Sequence, residues 1–148
     1  MESDEMMKTN DPQNLSDRLH ETVVAEASLI HEQLKALHLN VQQARLLQFV
    51  AAHPGCLQKE AAHYLGRQDA TVTNMLKSLV QAGYLRREVP AENERVKQLY
   101  IAPAGQKLID QITTIFSDLE DKVRAAVPAD ERKALARNLD RIKAALEE

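Results

Sequence analysis

The stretch Asp69-Ala-Thr-Val-Thr-Asn-Met-Leu-Lys-Ser-Leu-Val-Gln-Ala-Gly83 decides how the chain is read. Val72, Met75, Leu76, Leu79 and Val80 stand at i, i+3, i+4, i+7 and i+8 and fill one arc of a helix, less than half its circumference. Asp69 is a candidate N-cap, and Gly83 closes the segment as a C-cap glycine. The opposite arc holds Ala70, Asn74, Lys77 and Gln81, flanked by Thr71, Thr73 and Ser78. A helix face that merely meets water more often carries Glu and Lys pairs. This one offers hydroxyls, an amide and one cation, with no carboxylate after Asp69. Such groups suit phosphates and base edges: Asn can pair bidentately with adenine, and Thr can meet a thymine methyl.

Before this helix, Asn40 can cap another that runs to about Ala52, with Val41, Ala44, Leu47, Phe49 and Val50 on its buried side. His53-Pro54-Gly55 ends it, because Pro disfavours helical geometry in the residue before it. A short helix with Ala61, Ala62 and Leu65 inward follows Cys56 and stops at Gly66. After Gly83 come two β-forming runs, Tyr84-Leu-Arg-Arg-Glu-Val89 and Val96-Lys-Gln-Leu-Tyr-Ile101, joined by a polar loop over residues 90–95 long enough to project. Arg95 near its tip is suited to a narrow minor groove, whereas Glu92 and Glu94 would repel phosphate unless paired. Short helix, turn, second helix and hairpin, in that order, form a winged helix-turn-helix, whose second helix enters the DNA major groove.

Long apolar stripes flank this module. One runs through Leu15, Leu19, Val23, Ala27, Ile30, Leu34 and Leu37. A second starts after Pro103 and runs through Leu108, Ile112, Ile115, Leu119 and Val123, and a third follows Pro128 with Leu135, Leu139, Ile142 and Leu146. They exceed what one small winged module needs to cover and are expected to form a dimer interface, with packing inside one subunit as the alternative. The expected organisation is a flexible tail over 1–13, dimerisation helices over 14–38 and 103–148, and the DNA-binding module over 39–102. The fold class is mainly α with a small β-wing.

Composition agrees. The 148 residues are 44% hydrophobic and 28% charged, with four Gly and five Pro, as in a soluble, mostly helical protein. The formal charge is −3, yet residues 56–87 carry five basic side chains against two acidic ones, a local +3 that leaves −6 elsewhere. Phosphate contacts depend on local charge, so the basic side chains lie where a groove-binding face needs them. The acidic first residues and the lack of any eighteen-residue apolar run predict a cytoplasmic protein without a membrane span, and the single Cys56 fits a reducing compartment. No P-loop, dinucleotide turn, paired-Cys motif or Gly-x-Ser-x-Gly elbow is present, so neither an enzyme nor a cofactor is expected. His20, His31, His38, His53 and His63 lack the i, i+4 spacing of helical metal ligands and are expected as surface residues, and Cys56 as a buried structural thiol.

Several runs together carry a resemblance. These are residues 39–47, Pro54-Gly55, Gln58-Lys59-Glu60-Ala61-Ala62, Ala70-Thr71-Val72-Thr73, residues 79–87, Asn93-Glu94-Arg95 and then Gly105. In order and spacing they are similar to the MarR family of bacterial winged-helix transcriptional regulators. The resemblance implies a homodimer gripping a pseudo-palindromic operator on double-stranded DNA, usually repressing until a small-molecule effector or an oxidant weakens binding. It implies that Thr71, Thr73, Asn74 and Lys77 lie on the recognition helix, that Arg86 and Arg87 begin the wing, and that Arg95 is the wing-tip arginine. With Gln68, Ala70 and Lys97 these make up the expected DNA-binding set. Three positions depart from the family pattern: Asn93 replaces an Asp that would steady Arg95, Asn74 stands where a basic residue is frequent, and Ala102 replaces a capping Thr. A winged-helix protein-interaction module and a metal-responsive regulator are the alternative readings.

Overall fold

The computed structural model describes residues 14–148, so the expected tail over 1–13 lies outside the described residues. The elements follow the order α1 (Leu15–Lys35), α2 (Val41–Ala52), β1 (Cys56–Leu57), α3 (Gln58–Leu65), α4 (Asp69–Gln81), β2 (Leu85–Glu88), β3 (Gln98–Ile101), α5 (Pro103–Ala126), a 3-10 turn (Ala129–Glu131) and α6 (Arg132–Leu146). This is the mainly helical fold with a small β-wing that the sequence predicts. The strands form one antiparallel sheet in the order β1-β3-β2.

Local chemistry sets the helix ends. At α2 the Asn40 side chain accepts the Gln43 N–H at 2.8 Å while the Gln43 side chain accepts the Asn40 N–H at 3.0 Å, a reciprocal capping box. After α4 the Gly83 N–H donates to the Val80 carbonyl and the Tyr84 N–H to the Leu79 carbonyl, both at 3.0 Å, with Gly83 at φ +83°. That pair of bonds is a Schellman motif, and it requires the left-handed conformation glycine adopts without steric cost. The same pattern ends α1, where the Leu39 N–H reaches the Leu34 carbonyl and His38 takes φ +58° in place of a glycine. Two boundaries differ from expectation. Asp69 is the first residue of α4 rather than its cap; Gln68 holds the cap position, with no side-chain hydrogen bond. The wing strands are shorter than the six-residue runs, because only residues 85–88 and 98–101 pair.

Among the described residues, every buried apolar residue falls between Ile30 and Ile112. Ile30 and Leu34 of α1, Ala44, Leu46, Leu47 and Val50 of α2, Val72, Leu76 and Leu79 of α4, Leu99 of β3 and Leu108, Ile109 and Ile112 of α5 meet in one core with Ala61 and Ala62. The small side chains of α3 let α4 cross closely. Beyond this core the expected stripes are largely exposed: Leu15 is 69% exposed, Val23 55% and Leu139 45%, and α6 buries no residue, while Ile115 and Leu119 of α5 pack in part against the core. Arg132 ties the start of α6 to the end of α5, its Nε donating to the Arg124 and Val127 carbonyls at 3.0 Å.

The start of α5 is fixed by backbone. Ala102 caps it without a side-chain bond, Pro103 opens its first turn, and the Ala102 N–H donates to the Tyr84 carbonyl at 3.0 Å. A Cβ on Gly105 would stand 2.2 Å from that same carbonyl oxygen, so only glycine lets the helix lie against the turn that ends α4. Gly105→Ala should therefore force the helix away and lower stability by about 1–3 kcal/mol, read as a reduced midpoint in urea unfolding.

Candidate nucleic-acid interface

The antiparallel sheet sets α4 against the wing. Cys56 pairs with Leu99 and Leu57 with Gln98, and the Gly55 N–H reaches the Leu99 carbonyl at 2.9 Å and the Gln58 N–H the Lys97 carbonyl at 3.1 Å. The start of α3 is thus stitched to β3, which in turn pairs with β2, whose chain leaves α4 through the Gly83 turn. Between these elements lies a cleft of about 470 Å³ lined by Gln58, Lys59, Asp69, Thr73, Arg95 and Lys97, with Leu57 and Val96.

On α4 the side chains of Ala70, Thr71, Asn74 and Lys77 are exposed, as is Gln68 just before it, so five expected contact residues share one open surface. Thr73 is placed differently. Its hydroxyl donates to the Asp69 carbonyl at 2.8 Å and accepts from Gln58 Nε2 at 2.7 Å, so it braces α4 against α3 inside the cleft. Gln58 carries no signal of this role in the sequence, because a Gln opening a helix looks like any polar first-turn residue. Its Oε1 is buried and without a hydrogen-bond partner.

The wing divides its arginines. Arg86 forms an ion pair with Glu88 and lies over the Tyr100 ring at 4.9 Å, so its charge is partly spent within the strand pair. Arg87 is half-buried opposite Leu99, and Lys97 is half-buried along the cleft. At the tip the Asn93 side chain supplies a neutral hydrogen bond. It accepts the backbone N–H of Arg95 at 3.1 Å, and the Val96 N–H donates to the Asn93 carbonyl at 3.2 Å. These bonds shape the loop and leave the Arg95 guanidinium unpaired among the described residues. Glu92 and Glu94 are exposed and form no ion pair there. Lys59, Arg67, Lys77, Arg95 and Lys97 are likewise unpaired, which leaves the module's positive charge available to a polyanion.

The five histidines are all exposed, and no three His, Cys, Asp or Glu side chains among the described residues are grouped to hold a metal. Cys56 is buried at the β1 edge, and burial, reinforced by the negative charge of Glu60, pushes its thiol above the ordinary range. Little thiolate is present at neutral pH, which disfavours oxidation chemistry there. No described helix is long and apolar enough to cross a membrane.

Helix, turn, exposed polar helix and a wing with a free arginine define a winged helix-turn-helix fold. Residues 39–95 match the MarR family model. It is 24% identical over 87 residues, 59% of this chain, to the HTH-type transcriptional regulator BilQ of Clostridium symbiosum, and the match spans about three-fifths of that relative's length, 60%. The fold is similar to that of S. aureus MepR in its DNA complex, with a TM-score of 0.84 and 23% identity over 89% of this chain and 98% of that one. It is also similar to the transcriptional repressor CouR bound to a 23-mer DNA duplex, with a TM-score of 0.79 and 22% identity over 87% of this chain and 92% of that one.

Two outcomes follow from this geometry. Thr73→Val should strip Gln58 of its remaining side-chain partner and destabilise the module by about 1–3 kcal/mol, measured by denaturant unfolding. Cys56 should react with iodoacetamide far more slowly in the folded protein than in urea at neutral pH; equal rates would show an accessible thiolate.

Proposed function

We propose that this chain is a sequence-specific DNA-binding transcription regulator that acts as a homodimer on a pseudo-palindromic operator, as a repressor released by a small molecule. The observation that carries the reading is the open face of Gln68, Ala70, Thr71, Asn74 and Lys77 beside an unpaired Arg95. In this reading α4 lies in the major groove, Asn74 reads a base edge, and Arg95 enters the flanking minor groove. Lys77, Arg87 and Lys97 supply phosphate contacts, while Arg86 steadies the wing as much as it touches DNA. A protein acting on chromosomal DNA works in the cytoplasm. Signal release through Cys56 is disfavoured by its burial, which leaves a ligand as the effector.

A gel shift with the DNA upstream of the chain's own gene, and then with genomic fragments, tests this directly. Salt-sensitive binding to a discrete site is expected; a folded protein that binds no DNA would instead support a protein-interaction module. Arg95→Ala should weaken binding to all sequences and reduce the salt slope by about 1. Asn74→Ala should relax preference at particular base pairs, each worth about 1–3 kcal/mol. Equal loss on specific and random DNA would remove Asn74 from the base-reading set.

The homodimer is supported by the largely exposed stripes of α1, α5 and α6, in particular by an α6 that buries nothing within its own subunit. In this reading residues 14–38 and 103–148 are the dimerisation helices and 39–102 the module they carry. Deleting residues 128–148 should leave the core folded, since no buried residue is lost, but should abolish the dimer, each Leu that a partner buries being worth roughly 1.5–3 kcal/mol. Operator affinity should then fall by orders of magnitude, because a lone module engages one half-site. Analytical ultracentrifugation reads the outcome, and a stable truncated dimer would overturn this assignment of the interface.

A further inference from the structure

Full burial on α1 begins at Ile30 and on α5 ends at Ile112; beyond these points α5 keeps only the partial cover of Ile115, Phe116 and Leu119, and both helices continue as mostly exposed arms. Glu26 lies one turn beyond Ile30 on the outgoing side of α1, and Phe116 one turn beyond Ile112 on the outgoing side of α5. A single side chain of the module reaches both: Arg45 of α2, whose Nη2 stands 3.4 Å from Glu26 Oε1 and whose guanidinium lies 4.8 Å over the Phe116 ring. Its neighbours Ala44, Leu46 and Leu47 are buried, so its backbone is locked into the rigid part of the molecule. We infer that Arg45 is a positioning residue for DNA reading: it fixes the angle between the module and the arms, and through it the separation of the two recognition helices and the half-site spacing the dimer accepts.

The chemistry fits that role better than one in stability. Both partners are partly exposed, 34% for Arg45 and 45% for Glu26, so the ion pair is screened and contributes little to folding. What the arginine supplies is orientation. A planar guanidinium that meets a carboxylate through one nitrogen and an aromatic ring through its face is more constrained than a lysine ammonium on a flexible stem. Both contacts lie where the arms depart, so a small rotation there is magnified along their length. The effect on DNA rests on the dimeric DNA-binding reading above; the joint itself does not.

The test therefore has two arms. Spin labels at Gln81→Cys on α4 and Asp121→Cys on α5, in a Cys56→Ser background and diluted into unlabelled protein, report the module-to-arm distance by double electron–electron resonance. The distribution should be narrow in the parent protein, broad in Arg45→Ala and Phe116→Leu, and intermediate in Arg45→Lys, with thermal unfolding of all four nearly unchanged. An equally narrow distribution in Arg45→Ala would overturn the inference. In the second arm, duplexes carrying the operator's half-sites with the spacer changed by one base pair are titrated in gel shifts. One base pair turns one half-site by roughly a tenth of a helical turn relative to the other. The parent protein should discriminate by about tenfold or more, and Arg45→Ala by about threefold or less. Unchanged discrimination despite a broadened distance would overturn the assignment to half-site spacing. If the parent protein binds no DNA while the distance still broadens, the joint is upheld and the proposed function is what fails.

Discussion

The placement of α4 against the wing depends on the pairing of β3 with strands on both its sides. Leu99 is fully buried, faces Cys56 across one ladder and Arg87 across the other, and has no alternative register that keeps it in the core. A shift of one residue would turn Leu99 to solvent and bring half-buried Tyr100 or Gln98 inward, so register is strongly specified by one side chain. From that register follow the start of α3 at Gln58, the direction of the wing, and the docking of α5 through the Tyr84 carbonyl at Gly105. The distance between Arg95 and the exposed face of α4 is thus set by a two-residue strand and one backbone carbonyl rather than by any contact of the exposed side chains themselves.

Helical periodicity was legible because it is long and redundant. The stripes of α1, α2, α4 and α5 stand where the spacing puts them, and the Asn40 cap and the Gly83 turn carry signals with one physical meaning. A stripe reports that a face is apolar, however, and not what covers it. Upper α1, outer α5 and α6 continue the same spacing as the core segments, yet in the single chain they are mostly exposed. Leu46 and Ile109 show the converse: each is buried but falls outside the stripe assigned to its helix, because α2 and the start of α5 are covered on more than one side. β1 was not legible at all, since two residues have no alternation to detect and owe their strand geometry to β3. Asp69 was misplaced as a cap because the residue before it, Gln68, takes the extended cap geometry and leaves Asp69 inside the helix.

For the candidate site, residue type and helical phase identified the exposed set on α4, but not which polar groups are consumed internally. Thr71 and Thr73 are indistinguishable by composition. One is open, and the other is held by Gln58 from a helix that closes on it only in the folded chain. Arg86 and Arg95 differ in the same way: a strand neighbour two residues on and an aromatic residue across the ladder engage the first, while a loop of backbone turns leaves the second free. Departures from a family pattern are therefore read best by what the new residue bonds to. Asn93 keeps a structural role at the wing tip by accepting a backbone N–H, where a carboxylate could also have paired with the guanidinium.

The distribution of apolar surface separates folding from assembly in this chain. The core between Ile30 and Ile112 contains no buried polar or charged residue, so its cohesion rests on apolar packing and on helix and strand backbone bonds that close within one subunit. The arms have the opposite character: good helix formers with one apolar face and little of their own chain to set it against. Isolated helices gain most of their stability from burying such a face, so a helix of the length of α6 with nothing buried is marginal in water on propensity alone. In the proposed dimer its order comes from apolar contact beyond the subunit, which couples the formation of the last helix to association. In the proposed dimer the geometry between two modules would be decided outside this core, at the arms and at the joint where they leave it.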